Sequence, residues 1–408
     1  MLAHLPPMFL KMRRSQNVSF RRTLDMKNKT LKKICLMAVS MAIPFTFCTA
    51  CANSTDDPSE STLPPPEPLA RWDWDDIEES VIEENSWSPR VITLADGSML
   101  CAFEKGDGIH VKISQDAGDT LGDSALASFS PDLACANPNL FQLDDGSILL
   151  SYRAIGDRDD GFYTSLRVSI STDGGKSFSE HSLITEYVEP SHDARGVWEP
   201  CLGYLNSVLT CFYANDLYSV TSQQNIEYLQ YTDGEWTNRT IVTNGEKNNS
   251  RDGMPVWIPL KDGGYVCVIE ATHNRDAEGN HPFTIALVYS EDGVKWSDPY
   301  DIYIPTTPLS KAGAPGIAEF PDGRIVVSFQ TDEDKTEKGD AYSEMKTIMS
   351  DGGNVWELDT KSFTASDTVF STKQREGAIW TGIWFDGKTL FATAGTPRGS
   401  SMKRISIY

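Results

Sequence analysis

Two glutamates stand where this chain could break a bond: Glu199 in GVWEPCLG and Glu270 in CVIEATHN. Both lie at the ends of strand-like apolar runs. A pair of carboxylates facing one cavity is the minimum equipment for hydrolysing a glycosidic bond. One protonates the departing oxygen, and the other attacks the anomeric carbon or activates water. Candidate binding groups gather in sequence around the pair. Arg90 follows Pro89, Asn137 precedes Pro138, Arg153 ends SYR, and Trp198 adjoins Glu199. Arg251 and Asp252 precede Gly253, and His273 follows Glu270 by three residues. An arginine fork suits hydroxyl or carboxylate recognition, and Trp198 or Trp380 could stack on a sugar ring. Each has a plainer reading. Glu199 could pair with Arg195 or Arg251, and Glu270 could be a solvated strand end. Arg90 and Arg153 could bridge scaffold elements, and Arg251 and Asp252 could pair to shape a turn. His192 and His273 read as loop residues, and Trp380 reads as packing. Glu104 and Asn137 occupy related places.

Two interleaved repeats must position these groups. Asp116, Asp173, Asp233, Asp292 and Asp351 are spaced by 57, 60, 59 and 59 residues, each in a turn of one kind. The fullest copies are STDGGKSF and MSDGGNVW; YTDGEW, at Asp233, is abbreviated. A fixed period of this length signals a repeat architecture. The turns resemble the Asp-box of sialidase-like propellers, in which Asp bonds backbone amides and Gly supplies a positive φ. A second set, in antiphase, runs Asp96, Asp145, Asn206-Ser207, Asp262, Asp322 and Asp386. Asp-Gly between apolar runs marks a hairpin. Pro89, Pro138, Pro200, Pro255 and Pro315 precede five of these turns by six or seven residues. Six hairpins and five boxes predict an all-β, six-bladed β-propeller, its last blade closed by pairing N-terminal and C-terminal strands.

The repeat aligns positions between blades. The residue before each proline is Ser88, Asn137, Glu199, Met254 or Ala314, and only Glu199 is ionisable. The residue eight after the hairpin Asp is Glu104, Arg153, Glu270, Gln330 or Ala394, with the third blade offset near Ala214 to Asp216. Here the chain resembles the exo-α-1,5-L-arabinanase family of six-bladed propellers. The matching segments are SPRVITLADGS, ANPNLFQLDDGSILLSYR, VWEPCLGYL, RDGMPVWIPLKDGG and CVIEATHN, between residues 86 and 275. The resemblance implies a retaining hydrolase releasing short arabino-oligosaccharides, with Glu199 as nucleophile and Glu270 as acid/base. The second half of the chain matches less distinctively.

Two other functions compete. An exo-sialidase on the same fold needs three arginines on the substrate carboxylate, drawn from Arg90, Arg153, Arg251 and Arg375. The chain has SPRVI where a sialidase carries Phe-Arg-Ile-Pro. A non-catalytic glycan-binding lipoprotein needs no converging carboxylates, because fold is shared more widely than function.

Residues 1–51 read as an upstream extension and a lipoprotein signal. Lys27 to Lys33 precede the apolar run Ile34 to Ala50, and Cys51 is the lipidation candidate. Met26 is the more natural start. Residues 52–70 form an acidic, Pro- and Ser-rich tether, and the propeller occupies 71–408. The expected location is the bacterial outer membrane, anchored by lipid, with possible exposure at the cell surface. The 408 residues carry a net charge of −22; the first fifty hold nine basic residues and one acid, so the mature chain is near −30. Such a surface argues against nucleic acid and anionic polymers and suits a neutral plant-type glycan. No Cys/His spacing suggests a metal. A monomer without cofactor is expected. Cys101, Cys211 and Cys267 fall at one place in three hairpins and read as free core thiols; Cys135 and Cys201 could pair.

Overall fold

The computed structural model describes residues 72–217, 223–274, 282–352 and 354–407. The leader, the lipidation candidate Cys51 and the tether lie outside the described residues. The rest is a six-bladed β-propeller of four-stranded antiparallel sheets. The innermost strands are Trp87–Thr93, Ala134–Gln142, Val197–Leu205, Gly253–Pro259, Ala312–Glu319 and Ile379–Phe385, which number the blades one to six. Blade six takes Ser80–Glu83 as its outer strand, paired antiparallel with Gly399–Ser406. This closure ties the two ends of the ring together, so neither end of the propeller is left as an open blade.

The antiphase turns join the first and second strand of every blade, as the repeat requires. Gly97, Gly146, Gly323 and Gly387 take positive φ there, and Asn206-Ser207 does the same in blade three at φ 51° and 62°. The boxes join third and fourth strands. In blade two, Asp173 accepts from the backbone N–H of Lys176 (3.1 Å) and Ser177 (3.0 Å), and Gly175 N–H donates to Ser171 Oγ. Asp116 and Asp292 repeat the arrangement. Asp233 does not. It sits at φ 53° in a two-residue hairpin, Thr232 pairing with Glu235, so the turn is too short to wrap a carboxylate around. Blade six lacks a box because its fourth strand comes from the N-terminal side of the propeller.

The Ser177 hydroxyl, donating to Oδ2 at 2.5 Å, and with it the amide bonds favour the charged form of Asp173, holding its carboxyl from an ordinary 3.8 down to about 2. A depressed folded-state pKa gives stability that is present above the unfolded value and lost as pH falls through the folded one. Asp173→Asn is therefore expected to melt below wild type at neutral pH. The difference should shrink as pH drops from 3.8 toward about 2. Thermal melts at stepped pH check this; a gap unchanged at low pH would contradict it.

The core lies between blades. One apolar layer joins Leu100, Ile109 and Val111 of blade one to Leu140, Ile148 and Tyr152 of blade two. Another joins Val266 and Leu287 of blade four to Ile325 and Phe329 of blade five. Cys101, Cys135, Cys201, Cys211 and Cys267 are all buried free thiols. Cys135 and Cys201 do not pair.

Candidate active site

Every innermost strand is interrupted at one place. The residue before each aligned proline takes the left-handed conformation: Ser88, Asn137, Glu199, Met254 and Ala314, at φ 47–54°. Blade six does the same with Trp380 at φ 57°, although Thr381 replaces the proline. The pairing register slips across each site, as between Trp198 and Cys201 or Gly253 and Val256. Left-handed φ is uncommon for side-chain-bearing residues. Bulges of this kind re-aim side chains and gather next to active sites. Six in a ring bring six side chains to one mouth of the propeller.

The second strand of each blade presents its aligned residue at the same level, although in blade two the strand runs on to Arg158. Glu104 pairs with Trp87, Arg153 with Ala136, Glu270 with Gly253 and Gln330 with Gly313. Three of these end residues grip the bulge amide of the following blade. Glu104 Oε1 accepts from Asn137 N–H at 2.8 Å, Glu270 Oε2 from Ala314 N–H at 2.9 Å, and Gln330 Oε1 from Trp380 N–H at 2.7 Å. In blade three the end position is Ala214, paired with Trp198. There the bulge residue itself reaches across: Glu199 Oε2 accepts from Met254 N–H at 3.3 Å. Sequence periodicity located these residues but gave no sign that they join one blade to the next.

Glu199 and Glu270 flank the same peptide. Glu199 holds the Met254 amide, while a Cβ built on Gly253 would lie 3.1 Å from Glu270 Oε1. With ordinary bond lengths, that path keeps the two carboxyl groups within about 10 Å of each other. The bound includes the spacings of both retaining and inverting hydrolases, about 5–5.5 Å and about 6.5–9.5 Å. Gly313 is the other close neighbour of Glu270: a Cβ there would stand 2.5 Å from Oε2. Gly313→Ala is expected to push Glu270 off the Ala314 amide. Misplacing a reacting group by about 1 Å costs up to about 100-fold, so kcat should fall at least about tenfold. Steady-state kinetics beside a melting curve test this; full kcat with a lowered melting point would reject it.

Charge concentrates on Glu199. Burial raises its pKa, opposed by the nearby Arg153 and Arg251 and by the Met254 amide. Arg153 is buried, and burial lowers its pKa against the attraction of Glu199 and Glu104. Its Nε has no hydrogen-bond partner, and its guanidinium lies over the Trp198 ring, 5.0 Å from the centroid. Trp198 is buried and held by Nε1–H donation to Asp216 at 3.2 Å. Asp216 also accepts from Gly196 N–H at 2.6 Å and sits 3.7 Å from the Arg251 guanidinium. Asp216 thus orders both Trp198 and Arg251, a role the sequence did not signal because blade three departs from the repeat there.

The other expected residues spread out. Arg90 is half-buried, its pKa drawn down to about 10 by desolvation, and Nη1 donates to the carbonyls of Pro89 and Trp380. It links blade one to blade six. Asn137 stands at the bulge beside Arg153, with Oδ1 buried and unpartnered. Asp252 is buried, accepts from Ser250 and has Oδ2 unpartnered; burial raises its pKa. The ion pair of Arg251 is with Asp216, not Asp252. His273 sits 3.2 Å from Asp301 of the outer strand of blade four, which raises its pKa. Among the described residues, no cluster of three or more His, Cys, Asp or Glu is placed to hold a metal ion.

No protein-family profile matches the sequence, and no curated protein matches it. Solved structures do match in shape. A GH93 α-L-arabinofuranosidase of Fusarium graminearum, in complex with arabinobiose, is 20% identical with TM-score 0.62, over 79% of this chain and 93% of that one. A Penicillium chrysogenum α-L-arabinanase, also with arabinobiose, is 17% identical with TM-score 0.58, over 80% and 95%. The NanB sialidase of Streptococcus pneumoniae is 10% identical with TM-score 0.55, over 81% and 69%. At these identities the likeness is one of fold, and it places this chain among the six-bladed propellers that arabinan-cleaving enzymes and sialidases share.

Proposed function

We propose that this protein is a retaining, exo-acting glycoside hydrolase that releases short arabino-oligosaccharides from α-1,5-L-arabinan. The observation that carries the reading is the pair Glu199 and Glu270, set on either side of the Gly253–Met254 peptide at the mouth where all six bulges converge. Each is aimed by a backbone amide of the next blade. Such pre-ordering is what a reacting group needs. In this mechanism Glu199 attacks the anomeric carbon, and a covalent glycosyl-enzyme forms as the C–O bond breaks. Glu270 gives its proton to the departing oxygen, then takes one from the water that releases the sugar. Arg153 and Asn137, adjoining Glu199 with unmatched polar atoms, receive the hydroxyls of the attacked ring. Trp198 and Asp216 hold Arg153 and Arg251 in place.

The sialidase reading loses support in the arginines. Arg90 is engaged by carbonyls, Arg251 pairs with Asp216, and Arg375 pairs with Glu337 on the surface. Only Arg153 keeps its fork available, and one arginine does not make a carboxylate clamp. Anchoring at the outer membrane through lipidated Cys51 completes the proposal; mass spectrometry of the exported protein checks it.

The deciding experiment incubates the purified propeller with linear α-1,5-arabinan and, separately, with a sialyl-lactose. Arabino-oligosaccharides of one short length support the proposal. Release of sialic acid overturns it and shifts attention to the arginines.

A further inference from the structure

A solvent-open cleft lies beside Glu270, and neither Glu199 nor Arg153 lines it. Its walls include Phe283, Lys311, Gln330, Asp332 and Trp380, from blades four, five and six. Clefts take small ligands when an apolar lining carries a few placed polar groups. Here the lining contains two partly exposed aromatic rings, Phe283 and Trp380. Gln330 is buried, and its Oε1 is fixed on the Trp380 amide; among the described residues nothing bonds its Nε2. Asp332 is a brace rather than a ligand. Its oxygens accept the N–H groups of Lys311 (2.9 Å) and Gly339 (2.6 Å), which ties the following loop to the wall.

Trp380 is the informative residue. At the five other bulges the side chain is Ser, Asn, Glu, Met or Ala. Blade six alone puts an indole there, and both of its backbone polar groups are held, N–H by Gln330 and C=O by Arg90. The ring therefore stands on an ordered, strained backbone at the cleft, not on a loop. An indole face with an amide donor nearby matches a sugar ring, whose C–H face is apolar and whose rim is hydroxylated.

We propose that this cleft is a binding subsite for a neutral sugar ring, stacked on Trp380, next to the ring that is attacked and on its leaving-group side. The assignment rests on the proposed hydrolase reading, because Glu270, the proton donor in that reading, lines this cleft. The two flanks then divide the work. Arg153 and Asn137 receive the attacked ring on the polar side, and Trp380 receives the ring that departs.

The test compares wild type with Trp380→Ala and Trp380→Phe on two substrates: an arabino-oligosaccharide, and the methyl glycoside of the unit released from it. Methanol is too small a leaving group to reach the indole. The ratio of kcat/KM between the two substrates is expected to fall roughly tenfold in Trp380→Ala, an anchor-sized loss, and to recover in part in Trp380→Phe. Oligosaccharide binding to a Glu199→Gln background, measured by calorimetry, should weaken by a similar factor on adding Trp380→Ala. An unchanged ratio, or equal losses on both substrates, overturns the subsite while leaving the hydrolase reading intact. A wild type inert on both substrates overturns that reading instead. The subsite then stands or falls on a panel of neutral and uronic-acid oligosaccharides: binding lost in Trp380→Ala supports it, and binding that is absent, indifferent to Trp380 or confined to uronic acids sinks it.

Discussion

Glu199→Gln is expected to abolish arabinan hydrolysis to within background, a loss of roughly 10³-fold or more in kcat, with substrate binding largely kept. Glutamine preserves the shape and can still accept the Met254 amide through its carbonyl oxygen, so the fold is not the variable. Glu270→Gln should lose a comparable factor on arabinan but less on substrates whose leaving group departs without a proton. Added azide separates the roles. With Glu270→Ala, azide should attack the glycosyl-enzyme and give a glycosyl azide of retained configuration. With Glu199→Ala it should replace the nucleophile and give the inverted azide. NMR of the azide products reads the outcome. The opposite pairing would exchange the two roles, and full activity in either glutamine variant would refute the two-glutamate mechanism. The pH profile carries a further sign. A nucleophile must be ionised, and burial raises Glu199 above the usual 4.5, so the acidic limb of kcat/KM should lie above that value.

Arg153→Met is expected to lower kcat/KM about 100-fold and to move that acidic limb to still higher pH. The direction follows from charge. Arg153 is the foremost influence lowering the Glu199 pKa, so its removal leaves burial less opposed. Among the described residues its Nε makes no hydrogen bond that the scaffold would lose, and the fork lies buried on Trp198. Arg153 is paired by charge with Glu199, so removing it alone leaves a buried carboxylate less compensated, which costs stability. The melting point of Arg153→Met should therefore fall at neutral pH along with activity. Arg153→Lys should return the limb toward the wild-type position, since it restores the charge, yet recover only part of the rate because a point charge lacks the planar fork. A limb that stays in place would make Arg153 scaffold.

The architecture was legible because a propeller is built from local signals repeated. Asp-Gly hairpins and Asp-boxes are short-range turn chemistry, and their spacing alone announces six sheets. Asp233, misread as a box, failed for a local reason too: Asp-Gly serves both a box and a two-residue hairpin, and only the pairing of Thr232 with Glu235 distinguishes them. Glu199 and Glu270 were found the same way, as unusual residues at aligned places.

What the sequence by itself determined was thus the repeat, its closure and the places at which chemistry could stand. The tertiary structure decided which polar groups remain available there. Arg90 looked equivalent to Arg153 as a binding residue, but its guanidinium reaches across 290 residues to the Trp380 carbonyl. Trp380 read as packing because tryptophan is routine between blades; the sixth bulge forms without proline, its amide held by Gln330, fifty residues earlier. Asp216 lay in the offset stretch of blade three with no role assigned, and it orders two neighbours of Glu199. Hydrogen-bond partners between blades depend on ring closure, which brings together chain segments whose separation no local pattern records.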